Sequence, residues 1–223
     1  MTFNFFCDIP DSFMHEYLPS FIDKLKQRNI NAKLFNSVNE MPEGDVAFFI
    51  SCGTILTNEQ IKRHKTSIVA HPSKLPLGRG SGAVSWAILE GSSDIWVTLF
   101  EVTEKIDRGA IFKQGNVALN GGELCLEIRS KQAQLTFDLI ESFIHDYPNV
   151  GKIEQVGKST FLRKRKPKDS MLDITKSIDE QFNLLRICDN ARYPAFFIKN
   201  GEYFFLHIYK DSEAALILKQ TNL

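Results

Sequence analysis

Asp45-Val46-Ala47-Phe48-Phe49-Ile50-Ser51 is the stretch on which the fold turns. Its unbroken apolar centre, with no polar alternation, describes a strand covered on both faces, as in a parallel sheet layered with helices. The pattern then repeats. Thr57 to Lys65 reads as a short helix, and Ser67-Ile68-Val69-Ala70 as a second buried strand ending at His71. Such a strand–helix–strand run is the sequence form of a parallel pair joined by a crossover. Upstream, Phe3 to Cys7 reads as a first buried strand, stopped by Asp8-Ile9-Pro10-Asp11. From Ser12 the apolar positions Phe13, Met14, Tyr17, Leu18, Phe21, Ile22 and Leu25 recur at helical spacing. Pro19, inside that pattern, is expected to kink or break the helix. Ala32 to Phe35 supplies another strand, and Asn36 to Gly44 a polar connection.

Downstream of His71, Ser81-Gly82-Ala83-Val84-Ser85-Trp86-Ala87-Ile88-Leu89 reads as a helix start, and Ile95 to Val102 as a further apolar strand. Glu123 to Tyr147 is a long helix with Ile128, Leu135, Leu139 and Phe143 along one side, ended by Tyr147-Pro148-Asn149. The expected fold is therefore α/β: an open, mainly parallel, Rossmann-like sheet with helices on both faces. Composition shifts after residue 150, so residues 1–150 are expected to form the main domain and 151–223 a small α+β extension. The extension carries the basic run Arg163-Lys164-Arg165-Lys166 and a capping box, Ser177-Ile178-Asp179-Glu180, opening a helix to about Cys188. Arg192 to Phe197 and Glu202 to Tyr209 read as paired strands around an Asn200-Gly201 turn.

Composition sets limits on function. With 223 residues, 43% of them hydrophobic and 18 of them Phe, the chain can bury a substantial core. Lys+Arg and Asp+Glu both number 27, and this neutrality argues against wholesale nucleic-acid binding. Cys7, Cys52, Cys125 and Cys188 are far apart, with no clustered histidines, so no metal site is expected. The opening run is too short for a signal peptide core, and no apolar run is long enough to span a bilayer. A cytoplasmic protein with reduced thiols, off the membrane, is the expectation.

Ligands bind such sheets outside the carboxyl ends of the strands. Ser51-Cys52-Gly53, His71 and Asp107 all fall at or just after predicted strand ends, which points to one shared cleft. His71 opens a loop, Pro72-Ser73-Lys74-Leu75-Pro76-Leu77-Gly78-Arg79-Gly80, and an imidazole there can accept or donate a proton near neutral pH. The bland alternative is a satisfied structural histidine. Asp107, in Ile106-Asp107-Arg108-Gly109, is either a turn residue or a carboxylate that orients His71 or holds a relaying water. Gly78-Arg79-Gly80-Ser81-Gly82 fits neither common phosphate-loop spacing, so its glycines read as serving shape, with Arg79 free for an anionic ligand. Cys52 is a candidate nucleophile only if something lowers its pKa; otherwise it is an inert thiol. The 163–166 run is a solvated face or a diphosphate contact. Tyr193, Phe196 and Phe197 are core residues unless one ring stacks on a base.

Together these segments resemble the formyltransferases that use N10-formyltetrahydrofolate, a family that includes methionyl-tRNA, glycinamide ribonucleotide and sugar N-formyltransferases. Its pattern is Asn-x-His-x-Ser-x-Leu-Pro, a glycine-containing loop, a helix, then Asp-x-Gly. His71, Ser73, Leu75, Pro76, Arg79, Gly80, Asp107 and Gly109 match. The likeness spans roughly residues 45 to 115 and includes Val97-Thr98-Leu99-Phe100. It implies catalytic roles for His71, Asp107 and Ser73. It also implies a folate pocket shaped by Ser51, Cys52, Gly53, Thr54, Ile55 and Ile106, largely through backbone groups. The stretches Arg165 to Asp173, Phe182 to Arg186 and Tyr193-Pro194-Ala195-Phe196 look like the tail of sugar N-formyltransferases, and no large barrel domain of the transfer-RNA enzyme is read. The resemblance thus implies formylation of an amine on a nucleotide-linked sugar, often at C4 of a deoxyamino sugar, for cell-surface glycan such as lipopolysaccharide. Arg79, Gly80, Asp169, Asp173 and Tyr193 are assigned to the substrate side. Expected partners are that sugar nucleotide and the folate, without nucleic acid or membrane, and a homodimer is the candidate assembly. One departure is visible: Val69 stands where the family places an oxyanion-binding Asn. Ser67, Ser73 or a backbone amide near His71 are the candidate replacements. Two alternatives stay in play: another formyl acceptor (a free amine or a sugar hydroxyl) and, on the strength of Val69, a binding protein that kept the pocket without the chemistry.

Overall fold

A computed structural model describes residues 1–104 and 107–210. In chain order the elements are β1 (Thr2–Phe6), α1 (Met14–Gln27), β2 (Asn31–Phe35), β3 (Gly44–Ile50), α2 (Asn58–Lys62) and β4 (His64–His71). There follow β5 (Arg79–Gly80), α3 (Ala83–Leu89), β6 (Asp94–Glu101), β7 (Ile111–Ala118) and α4 (Cys125–Asp146). Beyond these lie β8 (Phe161–Leu162), α5 (Phe182–Arg186), β9 (Ala195–Lys199) and β10 (Glu202–Leu206).

The central sheet has six strands in the order β2-β1-β3-β4-β6-β7. Its first four strands are parallel, as their apolar patterns predict. β3 is the hub, with Val46, Ala47, Phe48, Phe49 and Ile50 all buried, because its neighbours and both layers leave no face for water. One face packs Phe3, Phe5, Phe48 and Ile50 against Leu18, Phe21 and Leu25 of α1 and Phe137, Ile140 and Phe143 of α4. Phe21 and Phe137 join those helices by stacking, with centroids 4.2 Å apart. Burying a side chain of this size contributes about 1.5–3 kcal/mol. The other face packs Phe6, Ala47 and Phe49 against Val38 and Met41 of the 36–43 connection. Among the described residues no helix is long and apolar enough to cross a membrane.

Three local expectations are corrected. α1 runs unbroken through Pro19, carried by its buried face of Met14, Leu18, Phe21, Ile22 and Leu25. α2 ends at Lys62, not Lys65, because β4 begins at His64, where it pairs with Gly44. β6 runs antiparallel to β4, and β7 antiparallel to β6. The carboxyl end of β6 therefore points away from the shared edge, and the connection after it must bring Asp107 back.

The residues after 150 are laced onto the sheet. Ile153 and Ile111 exchange both backbone hydrogen bonds, and β8 pairs in parallel with β5. Arg186, itself buried, reaches Glu123 and the Gly121 carbonyl at the start of α4. The Ser177–Glu180 capping box forms as read, followed by a 3-10 turn and the short α5. β9 and β10 form the expected hairpin around Asn200-Gly201, both with positive φ. Tyr203 and Phe205 of β10 are exposed.

Candidate active site

A cavity of about 1140 Å³ lies at the carboxyl ends of β3 and β4 and is walled by His71, Asp107, Arg79, Gly80, Ser51 and Cys52. The far wall is α4, which presents Cys125, Arg129, Gln132 and Thr136 at helical spacing. Val69 lines the cavity as well, at the position where the family pattern has Asn.

His71 closes β4 and is buried, with its ring edge-on to Phe100. Its Nε2 lies 2.8 Å from the Gly78 carbonyl. A carbonyl only accepts, so Nε2 carries the proton and Nδ1 is the nitrogen left for chemistry. The loop that supplies Gly78 is fixed from beneath: Thr98, wholly buried, donates to the Ser73 carbonyl at 2.6 Å and accepts from Gln114 at 2.7 Å.

Asp107 has φ +54°, in the left-handed region, and its Oδ2 accepts from the Gly80 amide at 3.0 Å. The structure gives no hydrogen bond between His71 and Asp107. Each instead holds the 78–80 segment, one at a carbonyl and one at an amide. That segment is zipped on its other edge to Thr160 and Leu162, with the Gly78 amide on Thr160 Oγ1 at 2.8 Å. Two motif glycines are fixed by close approach. A Cβ on Gly80 would meet the Leu162 carbonyl oxygen at 2.3 Å, and one on Gly109 the Glu101 carbonyl oxygen at 1.7 Å. Arg79 reaches Gln155 Oε1 at 2.7 Å, while its buried Nε has no partner.

The folate-side residues divide. Ser51 and Cys52 line the cavity, whereas Gly53, Thr54 and Ile55 are not among its walls. The Gly53 amide and the Thr54 amide and hydroxyl all donate to the carboxylate of Asp8, so these backbone groups are already engaged. Ile55 is exposed, and Ile106 lies outside the described residues. Burial and the nearby Asp8 charge push the Cys52 thiol up to about 12, which removes it as a nucleophile. Among the described residues no cluster of three or more His, Cys, Asp or Glu side chains suits a metal ion.

Other singled-out residues stand away from the cavity. Ser67 donates to the Ile61 carbonyl, so its hydroxyl is spent. The Ser73 hydroxyl is buried without a partner beside Gly78 and is not a cavity wall. Asp169 is held in the fork of Arg163 at 2.6 and 2.7 Å, which keeps its carboxyl well below the usual range. Arg163 in turn lies over the Trp86 ring, so part of the basic run is structural. Asp173 accepts from the amide and hydroxyl of Thr175 in its own turn, and Tyr193 is exposed. Neither these two nor Asp169 lines the cavity. Contributors not legible beforehand are Asp8, Gln155, Thr160 and the α4 residues; only the last left a signal, as polar positions on one helical stripe.

The family model for formyl transferase matches residues 8–134, more than half of the chain. The chain belongs to the formyl transferase family. This formyltransferase also shares its fold with solved structures. A methionyl-tRNA formyltransferase from Clostridium thermocellum superposes with TM-score 0.73 at 19% identity, over 92% of this chain and 97% of that one. A sugar N-formyltransferase from Shewanella sp. gives 0.70 at 15% identity, over 95% and 98%. HypX from Aquifex aeolicus in complex with tetrahydrofolic acid gives 0.71 at 16% identity, over 93% of this chain and 37% of that one. At these identities the likeness concerns the fold, which the transfer-RNA and sugar enzymes share.

Proposed function

We propose that this formyltransferase moves the formyl group of N10-formyltetrahydrofolate to the amino group of a nucleotide-linked amino sugar, in the first instance a 4-amino deoxysugar used for cell-surface glycan. The observation that carries the reading is the convergence of His71 and Asp107 on one 1140 Å³ cavity, each fastened to the same loop segment. A cavity of that size exceeds the usual range of about 300–1,000 Å³ for ligand pockets and suits two sizeable co-substrates. Chain neutrality supports a small acceptor over nucleic acid. The reading includes a cytoplasmic enzyme and a homodimer.

The neutral amine attacks the formyl carbon, and a tetrahedral intermediate forms with negative charge on the formyl oxygen. The C–N10 bond then breaks, the acceptor nitrogen loses a proton, and N10 gains one. In this reading Nδ1 of His71 takes the amine proton and, once protonated, donates to the oxyanion or to N10. Asp107 keeps the Gly80 amide, and with it the loop, in register and offers its other oxygen to a relaying water. Val69 supplies no donor, so the oxyanion depends on His71 and backbone amides. Arg79, a wall of the cavity, is assigned to an anionic group of the acceptor.

An acceptor screen tests the reading. Purified enzyme with N10-formyltetrahydrofolate is given nucleotide-linked 3- and 4-amino sugars, free amines, sugar hydroxyls and methionyl-tRNA, and products are read by mass spectrometry. The expected product gains one formyl group on a sugar amine. Transfer only to methionyl-tRNA or to a hydroxyl would overturn the acceptor assignment, and folate binding without any product would overturn the catalytic one.

A further inference from the structure

Gln155 lies in an irregular stretch beyond the residues that the family model matches, yet its carboxamide meets three site groups at once. Nε2 donates to the Asp107 carbonyl at 3.0 Å and to the Gly109 carbonyl at 2.9 Å. Oε1 accepts from Arg79 Nη2 at 2.7 Å. Only a primary amide offers two donors and an acceptor on one planar head. We propose that Gln155 is a positioning residue of the transfer site, locking Asp107 and Arg79 into one fixed relation across the cavity. The inference rests on the roles given above to those two residues.

Two further features support the assignment. Gln155 is itself held, because Ile153 is bonded both ways to Ile111 and the Thr160 carbonyl accepts the Arg79 amide. The span between those anchors runs from the hairpin that carries Asp107 to the loop that carries Arg79. Asp107 also sits in a left-handed backbone conformation, which persists in a residue other than glycine only where its surroundings over-determine it. Gln155 pins the carbonyl side of that residue, and the Gly80 amide engages its carboxylate. Without the carboxamide, the carboxylate loses one of its two fixed references. Arg79 would likewise be free to swing, with both Nη2 and the buried Nε left without a protein acceptor.

Two variants separate the parts of the role. Gln155→Met keeps the length and removes every polar contact; Gln155→Glu keeps the acceptor for Arg79 but loses both donors. Steady-state kinetics are measured with donor and acceptor varied in turn, alongside thermal melting and hydrogen exchange at the Gly80 amide. Both variants are expected to lower kcat by about 10- to 100-fold, the range for a misaimed catalytic group. The acceptor KM should rise in Gln155→Met and stay near wild type in Gln155→Glu, and Gly80 exchange should speed up in both. A kcat within twofold of wild type in both variants would overturn the proposal, as would a loss matched by a general fall in melting temperature with uniform exchange. If the wild-type enzyme formylates no sugar amine, the acceptor reading fails by itself, and Gly80 exchange still decides the present point: unchanged exchange overturns it.

Discussion

At position 71 the backbone decides what the imidazole can do. Because the Gly78 carbonyl holds Nε2–H, the ring is fixed, and Nδ1 is the nitrogen that the proposed mechanism uses. His71→Ala should lower kcat/KM by about 10²–10⁴-fold, the usual contribution of a positioned acid–base group. It should cost only about 1–2 kcal/mol in stability for the orphaned Gly78 carbonyl. Asp107→Asn keeps an acceptor for the Gly80 amide, so melting should be unchanged while turnover falls; formyl-transfer assays beside melting curves check both. Retained turnover within tenfold in either variant would remove that residue from the chemistry. These two side chains are legible in sequence because each sits in a short motif with its own glycine, and Gly80 and Gly109 are required because a Cβ there would lie 2.3 and 1.7 Å from a neighbouring carbonyl oxygen. Asp169, Asp173 and Ser73 show the opposite case. Residue type alone cannot tell that Asp169 is taken by Arg163, that Asp173 caps its own turn, or that Ser73 turns beneath the loop.

Among elements, strand direction is the least readable property. β1 and β3 are buried apolar runs, and a helix separates β1 from β2 and β3 from β4, which is the sign of parallel crossovers. β6 shows the same apolar run, yet its direction depends on how the chain after α3 returns, which no local pattern encodes. Asp107 therefore reaches the cavity through the turn between β6 and β7 and not through a strand end on the common edge. The start of α4 is a second element-level device. Glu123 receives the Asn120 and Gly121 amides, Lys131 at 2.6 Å and Arg186 at 3.4 Å, tying α4 to α5. Burial opposes its charge, but Lys131 and the backbone amides prevail and hold the carboxyl down to about 2, below its ordinary 4.5. Its folded pKa is depressed, so the stabilisation is fully present above about 4.5 and lost as pH falls from there towards about 2. Glu123→Gln should therefore destabilise by about 3–5 kcal/mol at pH 7, since it leaves Arg186 buried without its counter-charge. That deficit should shrink through this acid window, as chemical unfolding at pH 7 and pH 3 would reveal. An equal deficit at both pH values would show that the loss is packing and not charge.

For the molecule as a whole, the division near residue 150 is our proposal, and the site straddles it. His71 and Asp107 come from the sheet, whereas Gln155, Thr160 and Leu162 brace the loop from the segment that follows. A chain ending at residue 150 should keep much of the sheet, because the cluster of Phe5, Phe48, Phe137 and Phe143 lies wholly before that point. It should nevertheless lose formyl transfer by at least about 10²-fold, with circular dichroism and turnover as the measurements. Full activity in that fragment would show that the brace is dispensable. The parallel pairing of β5 with β8 then has a consequence for biosynthesis. As the chain leaves the ribosome, the core strands emerge and associate first, while the glycine segment beside the imidazole must wait for partners made much later. Nascent enzyme would thus stay inert until residues 161 and 162 have cleared the ribosome, even where the strands before them have already folded.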